Sequence, residues 1–254
     1  MEVKRKPFQG ILNIVRFNWH FYVIAGSLIV ALLIFVPLFS SSVRSILYAG
    51  VSLAAITMLT SLLVSIYVYD LSDLYLFSWL DGTSKIDTGK ILTVNAGFDE
   101  TTPIIEGKFK NMEVISCDFY DPTVHTEISI KRARKAYPLN PKAVIVNTGS
   151  LPFSESTFDM TFAIFSVHEI RDAEERLIFF KELNRVTKLS GQIFVTEHLR
   201  DFANFLAYNV GFFHFYSRKN WMKIFREANL TVRHGIKTTP FVTTFILEKN
   251  GDPL

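Results

Sequence analysis

The chain has 254 residues, room for one ordinary domain and an appendage, and its 49% apolar content and mean hydropathy of +0.24 are high for a soluble enzyme. A net charge of +3 makes no case for a nucleic-acid partner. The single cysteine, Cys117, excludes an internal disulfide and a cysteine-rich zinc site, and fits a reducing compartment.

The apolar excess lies before Asp70. Residues 1–18 carry Lys4, Arg5, Lys6 and Arg16 against one acid, Glu2. Trp19 to Phe39 then runs for about 21 positions without a charged residue, about 31 Å of helix, which matches a bilayer core. Ser40 to Ser45 is a polar break containing Arg44, and Ile46 to Tyr69 is a second uncharged run of about 24 residues. Trp19, Tyr22, Tyr67 and Tyr69 sit near the ends, where interfacial aromatics are expected. A signal peptide has a shorter apolar core and no second span behind it. Buried helices of this length without a charge are uncommon. Residues 19–70 therefore read as two transmembrane helices in an antiparallel hairpin, an anchor with no charged group to mark a transport path. The basic residues before the first span, against Arg44 alone in the loop, place both ends and the following domain in the cytoplasm. Residues 71–89 are amphipathic, with Leu74, Tyr75, Phe77, Trp79 and Leu80, and end at Asp81-Gly82. They read as a linker at headgroup level or as a helix packed on the next domain.

From Lys90 to the end, residues 90–254, strand and helix patterns alternate. Lys90–Asn95, Glu113–Phe119 and Ala143–Asn147 read as strands, with helices over Glu100–Phe109 and Thr126–Tyr137 between them. Phe158–Val167 is a short apolar run of the kind buried on both faces of a sheet. Asp172–Lys188 has Leu177, Ile178, Phe180, Leu183 and Val186 at helical spacing, Asp172 as N-cap, Glu175 three positions on, and Ser190-Gly191 to close it. Gln192–Glu197 is the next buried strand, and a strand–helix–strand unit of this length implies a parallel sheet. Asn204–His214 and Ser217–Ala228 read as helices. Thr231–Lys237 and Phe241–Lys249 have no helix between them and form an antiparallel pair.

Leu151-Pro152-Phe153, the Phe158-Asp159 that opens a strand, and the run KELNRVTKLSGQIFVTEH from Lys181 to His198 resemble the second half of a class I S-adenosylmethionine-dependent methyltransferase of the methyltransferase-11 type. Lys188-Leu189-Ser190-Gly191 stands where that family has Lys-Pro-Gly-Gly. The resemblance spans roughly residues 90–249. It implies an α/β, Rossmann-like fold of five parallel strands and a terminal antiparallel hairpin, preceded here by the two transmembrane helices. It also implies S-adenosylmethionine as cofactor and methyl transfer to an acceptor. The acceptor is a small molecule or, given the anchor in the bilayer, a lipid-like or membrane-held one.

Chemistry in an open parallel sheet sits at the carboxyl ends of the strands. Asn95-Ala96-Gly97-Phe98-Asp99 follows the first strand, where the family has a glycine-rich turn. Gly97 matches a family glycine, Asn95 and Asp99 stand where two more are usual, and Thr93 replaces an upstream acid. Asn and Asp tolerate positive φ best among other residues. The resemblance makes Asp118, after the second strand, the acceptor for the ribose hydroxyls, and puts Asn147 in the place of an adenine-contacting aspartate. His168 and Glu169 follow the fourth strand, within His168-Glu169-Ile170-Arg171-Asp172. His198 follows the fifth, within Glu197-His198-Leu199-Arg200-Asp201. A histidine beside carboxylates suits a general base for an oxygen acceptor. The same clusters equally make a salt-bridged rim that orders the loops. His168, His198, Glu169 and Glu197 offer metal donors, but there is no HExxH spacing and no metal is expected. The aromatic stretch Asn204–Tyr216 is a substrate lid or core packing. The competing function is a membrane protein that keeps the fold, has lost the cofactor and acts as a binding or scaffold module.

Overall fold

The computed structural model describes residues 5–81 and 88–250; Lys4 of the basic N-terminus and Gly82 of the expected terminator lie outside them. Helices α1 (Gln9–Phe35) and α2 (Ser41–Ile66) form an antiparallel pair joined through a 3-10 turn, Val36–Leu38, that carries Pro37. Both are long and apolar enough to cross a membrane, with mean hydropathies of 2.6 and 2.1 over their most apolar windows. Only 6% and 11% of those windows are buried, so neither is the core helix of a globular domain.

The hairpin is tied at its open end. Phe8 precedes α1 with φ 58 and offers no side-chain cap. Asp70 supplies the acceptors instead, its Oδ1 taking the Gly10 N–H at 2.7 Å and its Oδ2 the Ile11 N–H at 2.8 Å. A carboxylate at a helix N-terminus satisfies otherwise orphaned donors and meets the positive end of the dipole. The helices cross so closely there that a Cβ on Gly10 would lie 2.4 Å from Tyr69 Cβ. α2 ends in a π turn, Tyr67–Leu71, followed by 3-10 turns at Asp73–Leu76 and Ser78–Leu80.

The sheet has seven strands: β1 (Gly89–Asn95), β2 (Met112–Asp118), β3 (Val144–Ile145), β4 (Phe158–Ile164), β5 (Thr187–His198), β6 (Leu230–Thr239) and β7 (Val242–Lys249). Their order is β3-β2-β1-β4-β5-β7-β6, parallel through β5, with β7 antiparallel to both neighbours. That is the expected arrangement. Helices α3 (Thr102–Lys108), α4 (Ile128–Ala136), α5 (Ala173–Val186), α6 (Phe202–Tyr208) and α7 (Arg218–Glu227) complete it. One core cluster joins Phe179, Phe180 and Leu183 of α5 and Trp221 and Phe225 of α7 to the sheet. The other joins Ile91, Phe162, Phe194 and Ile246 to Ile105, Phe77 and Leu80.

Phe77 and Leu80 settle how residues 71–81 of the 71–89 stretch are used. They are 2% and 4% exposed within the core, so this stretch packs on the sheet as short 3-10 turns. Several boundaries differ from the sequence pattern, and two of them have a clear local cause. α5 stops at Val186, and Ser190-Gly191 lies inside the strand rather than closing the helix. Thr187 is the reason: its backbone pairs with Phe158, while its hydroxyl donates to Leu183 O at 2.7 Å and satisfies a terminal helix carbonyl. Gly191 is needed for close approach, since a Cβ there would lie 2.9 Å from Asp159 O. β4 ends at Ile164 rather than Val167, because Phe165 takes φ 49 and Val167–Glu169 turn into a 3-10 helix.

Candidate active site at the carboxyl rim of the sheet

Asn95, Gly97, Asp99 and Asp118 line one cavity of about 130 Å³, together with Ser116 and Arg134. Gly97 has φ 88, and a Cβ there would meet the Tyr120 ring at 2.9 Å, so the turn requires glycine twice over. Asp118 Oδ1 accepts from the N–H groups of Gly97 at 3.1 Å and Tyr120 at 2.9 Å. Its Oδ2 accepts from Arg134 Nη2. Asp99 is spent locally: Oδ1 caps α3 through the N–H groups of Thr101 and Thr102, and Oδ2 accepts from Ser116. Asn147 does not join them. It is exposed and its Oδ1 accepts from Gly149 N at 2.7 Å, closing its own turn.

A nucleoside-bearing cofactor needs a carboxylate for its ribose hydroxyls and a turn that its backbone-facing end can approach. Asp118 and Gly97 meet both needs. Arg134 holds the carboxylate oxygen a ribose would use, and about 130 Å³ is below the roughly 300–1,000 Å³ usual for small-molecule sites. The donor set fits such a group once Arg134 has moved.

The first helix lies over this rim. Glu100, next to Asp99, accepts from Gln9 Nε2 at 2.7 Å and Asn13 Nδ2 at 3.0 Å, and pairs with Arg5 at 3.4 Å. Burial raises its pKa, and those donors offset the rise only in part. Tyr137 Oη donates to Asn13 Oδ1 at 2.9 Å, and Phe17 packs edge-on against Phe98 and Tyr137. Glu100, Arg134 and Tyr137 were not singled out in the sequence; the partners of Glu100 and Tyr137 lie far away along the chain, and Arg134 reads as one of several basic residues on its helix.

The two rim histidines have opposite surroundings. His168 Nδ1 lies 2.7 Å from Glu197 Oε2 and its Nε2 lies 3.3 Å from Glu169 Oε1. Burial opposes charge on His168, but the two carboxylates outweigh it and push its pKa up to about 10. Burial also works against charge on Glu169, yet His168 brings it down to about 2. His168 thus holds a proton at neutral pH rather than accepting one. His198 is the reverse: burial pushes it down to about 4. Its Nδ1 lies 3.0 Å from Phe241 O, a group that only accepts, so Nδ1 carries the proton. Its Nε2 is then the acceptor for Tyr69 Oη at 2.7 Å. His168 faces not His198 but His214, with ring centroids 5.1 Å apart. The Asn204–Tyr216 stretch is divided. Phe215 stacks on His198, whereas Phe205, Val210 and Phe213 are exposed.

Residues 92–195 match the family described as a methyltransferase domain. The fold is similar to a solved S-adenosylmethionine-dependent methyltransferase from Aquifex aeolicus, at 18% identity and a TM-score of 0.53 over 70% of this chain and 93% of that one. It is also similar to the PH0226 protein of Pyrococcus horikoshii, at 17% identity and a TM-score of 0.53 over 70% and 89% of the two chains. No curated protein sequence matches the chain. Residues 92–195 thus match a methyltransferase domain, and the chain has the class I methyltransferase fold set behind two long apolar helices; S-adenosylmethionine is the cofactor that this match indicates.

Proposed function

We propose that the chain is a membrane-anchored methyltransferase acting at the cytoplasmic bilayer surface on a lipid-like or membrane-held acceptor. One observation carries this reading: the near ends of α1 and α2 rest on the carboxyl rim of the sheet, through Asn13 on Tyr137 and Tyr69 on His198. An acceptor leaving the bilayer along the hairpin arrives where chemistry in this fold takes place.

S-adenosylmethionine, when bound, supplies a methyl group on a sulfonium. Asp118 would hold the ribose hydroxyls after release from Arg134, and Gly97 would allow the close backbone approach. His198 is neutral at working pH, and once Tyr69 Oη has swung off Nε2 that nitrogen accepts a proton, so it is the base for an oxygen acceptor, oriented by Phe241. His168, kept charged by Glu169 and Glu197, stabilises negative charge at the rim. The test uses the full chain in lipid nanodiscs with methyl-labelled S-adenosylmethionine. Label should pass into the lipid-extractable fraction and fall with Asp118→Asn. Label confined to water-soluble acceptors would overturn the lipid assignment.

The second reading is a methyltransferase fold that serves as a binding module. The Arg134–Asp118 pair favours it, because it fills the ribose position with the protein's own charge. Titration calorimetry with S-adenosylmethionine and S-adenosylhomocysteine decides between them, and no measurable heat for either supports the binding module.

A further inference from the structure

Away from the cofactor cavity, where the β4 rim meets the 3-10 segment Asn209–His214, two imidazoles converge on one carboxylate. His168 Nε2 lies 3.3 Å and His214 Nε2 4.0 Å from the same Glu169 Oε1. One ligand atom from each of the three residues lies within 4.8 Å of the others. Ligands of a first-row ion at about 2.0–2.2 Å stand roughly 3–4 Å apart, so a closure of about 1 Å places all three on one ion.

The surroundings are those of a ligand set. Glu197, 2% exposed, lies 2.7 Å from His168 Nδ1 and fixes that ring with Nε2 turned toward Glu169. A carboxylate behind a histidine in this way orients metal-binding imidazoles and raises their basicity. Arg171 lies against the other ring, its Nη2 2.7 Å from His214 Nε2, and donates to His214 O at 2.9 Å and to Glu127 Oε1 at 2.7 Å, so ion entry turns the guanidinium away from Nε2. Glu127 Oε1 lies in turn 3.3 Å from His214 Nδ1. Charge points the same way. Glu127, Glu169 and Glu197 bring three negative charges and Arg171 returns one positive; the ion takes the place of the His168 Nε2 proton, which leaves two for a dication to neutralise. The three ligand side chains are 15%, 10% and 29% exposed, open enough for an ion to enter.

We propose that His168, Glu169 and His214 bind one divalent first-row transition ion, with Glu197 as the positioning residue behind His168. Two nitrogens and one carboxylate oxygen suit zinc, iron or manganese better than magnesium or calcium. Three protein ligands leave coordination positions open toward the rim, as in catalytic rather than structural sites. Ion binding here needs no cofactor, although it uses the same His168 that the proposed function places at the rim.

The experiment uses the full chain in detergent, stripped with chelator and without S-adenosylmethionine. Zn²⁺ is titrated against a competing chelator, and Co²⁺ is added separately to read its visible absorption. We expect one equivalent of Zn²⁺ per chain and a Co²⁺ band. His214→Gln should abolish the band and weaken Zn²⁺ at least 100-fold, while Glu197→Gln should keep the stoichiometry and weaken it roughly 10- to 100-fold. His214 lies on an outer turn, and a thermal melt confirms that its variant is folded. Glu169→Gln serves as the second ligand variant if that melt fails. His234→Gln, outside the cluster, should change nothing. No stoichiometric binding, or equal affinity in the folded ligand variant and the wild type, overturns the site.

Discussion

Tyr69 Oη donates to His198 Nε2 at 2.7 Å, joining the end of the helical hairpin to the end of the fifth strand. The bond spans 129 positions of sequence and makes the hairpin part of the rim. Tyr69→Phe removes the donor and leaves a buried ring nitrogen unpaired, a cost of about 1–3 kcal/mol. A melt of the purified chain should show the loss. His198→Gln should lower turnover by roughly 10²–10⁴-fold while S-adenosylmethionine affinity holds. Equal turnover per folded molecule would remove His198 as the base.

Arg134 and the ribose compete for one carboxylate. Arg134→Ala should therefore strengthen S-adenosylmethionine binding, whereas Asp118→Asn should weaken it about 10- to 150-fold, the equivalent of roughly 1.5–3 kcal/mol. Calorimetry on both variants reads opposite signs from one pair. A weaker Arg134→Ala would mean that the guanidinium helps hold the cofactor.

His198 should give the chain an acid-sensitive window. Its folded pKa of about 4 lies below the unfolded value of about 6.5, so between them the unfolded chain binds more protons. Stability falls as pH drops through that interval, by on the order of 3 kcal/mol in all. Melting temperatures in chelator from pH 7 to pH 4 should fall more steeply for the wild type than for His198→Gln. Parallel curves would show that another group sets the acid limb.

The soluble part should not begin at the first strand. Phe77 and Leu80 fill the sheet face beside Ile91, Phe162 and Phe194. Burying each stabilises by about 1.5–3 kcal/mol. A fragment starting at Ser72 should stay monodisperse on gel filtration, and one starting at Gly89 should aggregate. Equal behaviour would show that these side chains contribute little.

The parallel strands and the terminal antiparallel pair were legible because each rests on short-range signals: apolar runs such as Phe158–Ile164 and the helical spacing of Phe180 and Leu183. Gly97 and Asp118 were legible through their place after a strand. What was hidden depends on residues far apart in sequence. Ser190-Gly191 looks like a helix stop until Phe158 claims Thr187 as a strand partner. Residues 71–89 look interfacial until the sheet presents a face that fits Phe77. His168 invites pairing with His198, its counterpart on the neighbouring strand, but the backbone turn at Phe165 and the Asn209–His214 segment bring His214 to it instead.

The partners of His198 also set when the site takes shape. A ribosome adds roughly 5–20 residues per second, so about 6–26 s separate the emergence of Tyr69 from that of His198. The hairpin, already closed by Asp70 on Gly10 and Ile11, is complete before any strand of the sheet exists. His198 then waits again, because the carbonyl that fixes its proton belongs to Phe241 and β7 must slot between β5 and β6. The His198 end of the rim is therefore set late, and a chain cut short before Phe241 keeps its hairpin while His198 lacks the carbonyl nearest its Nδ1.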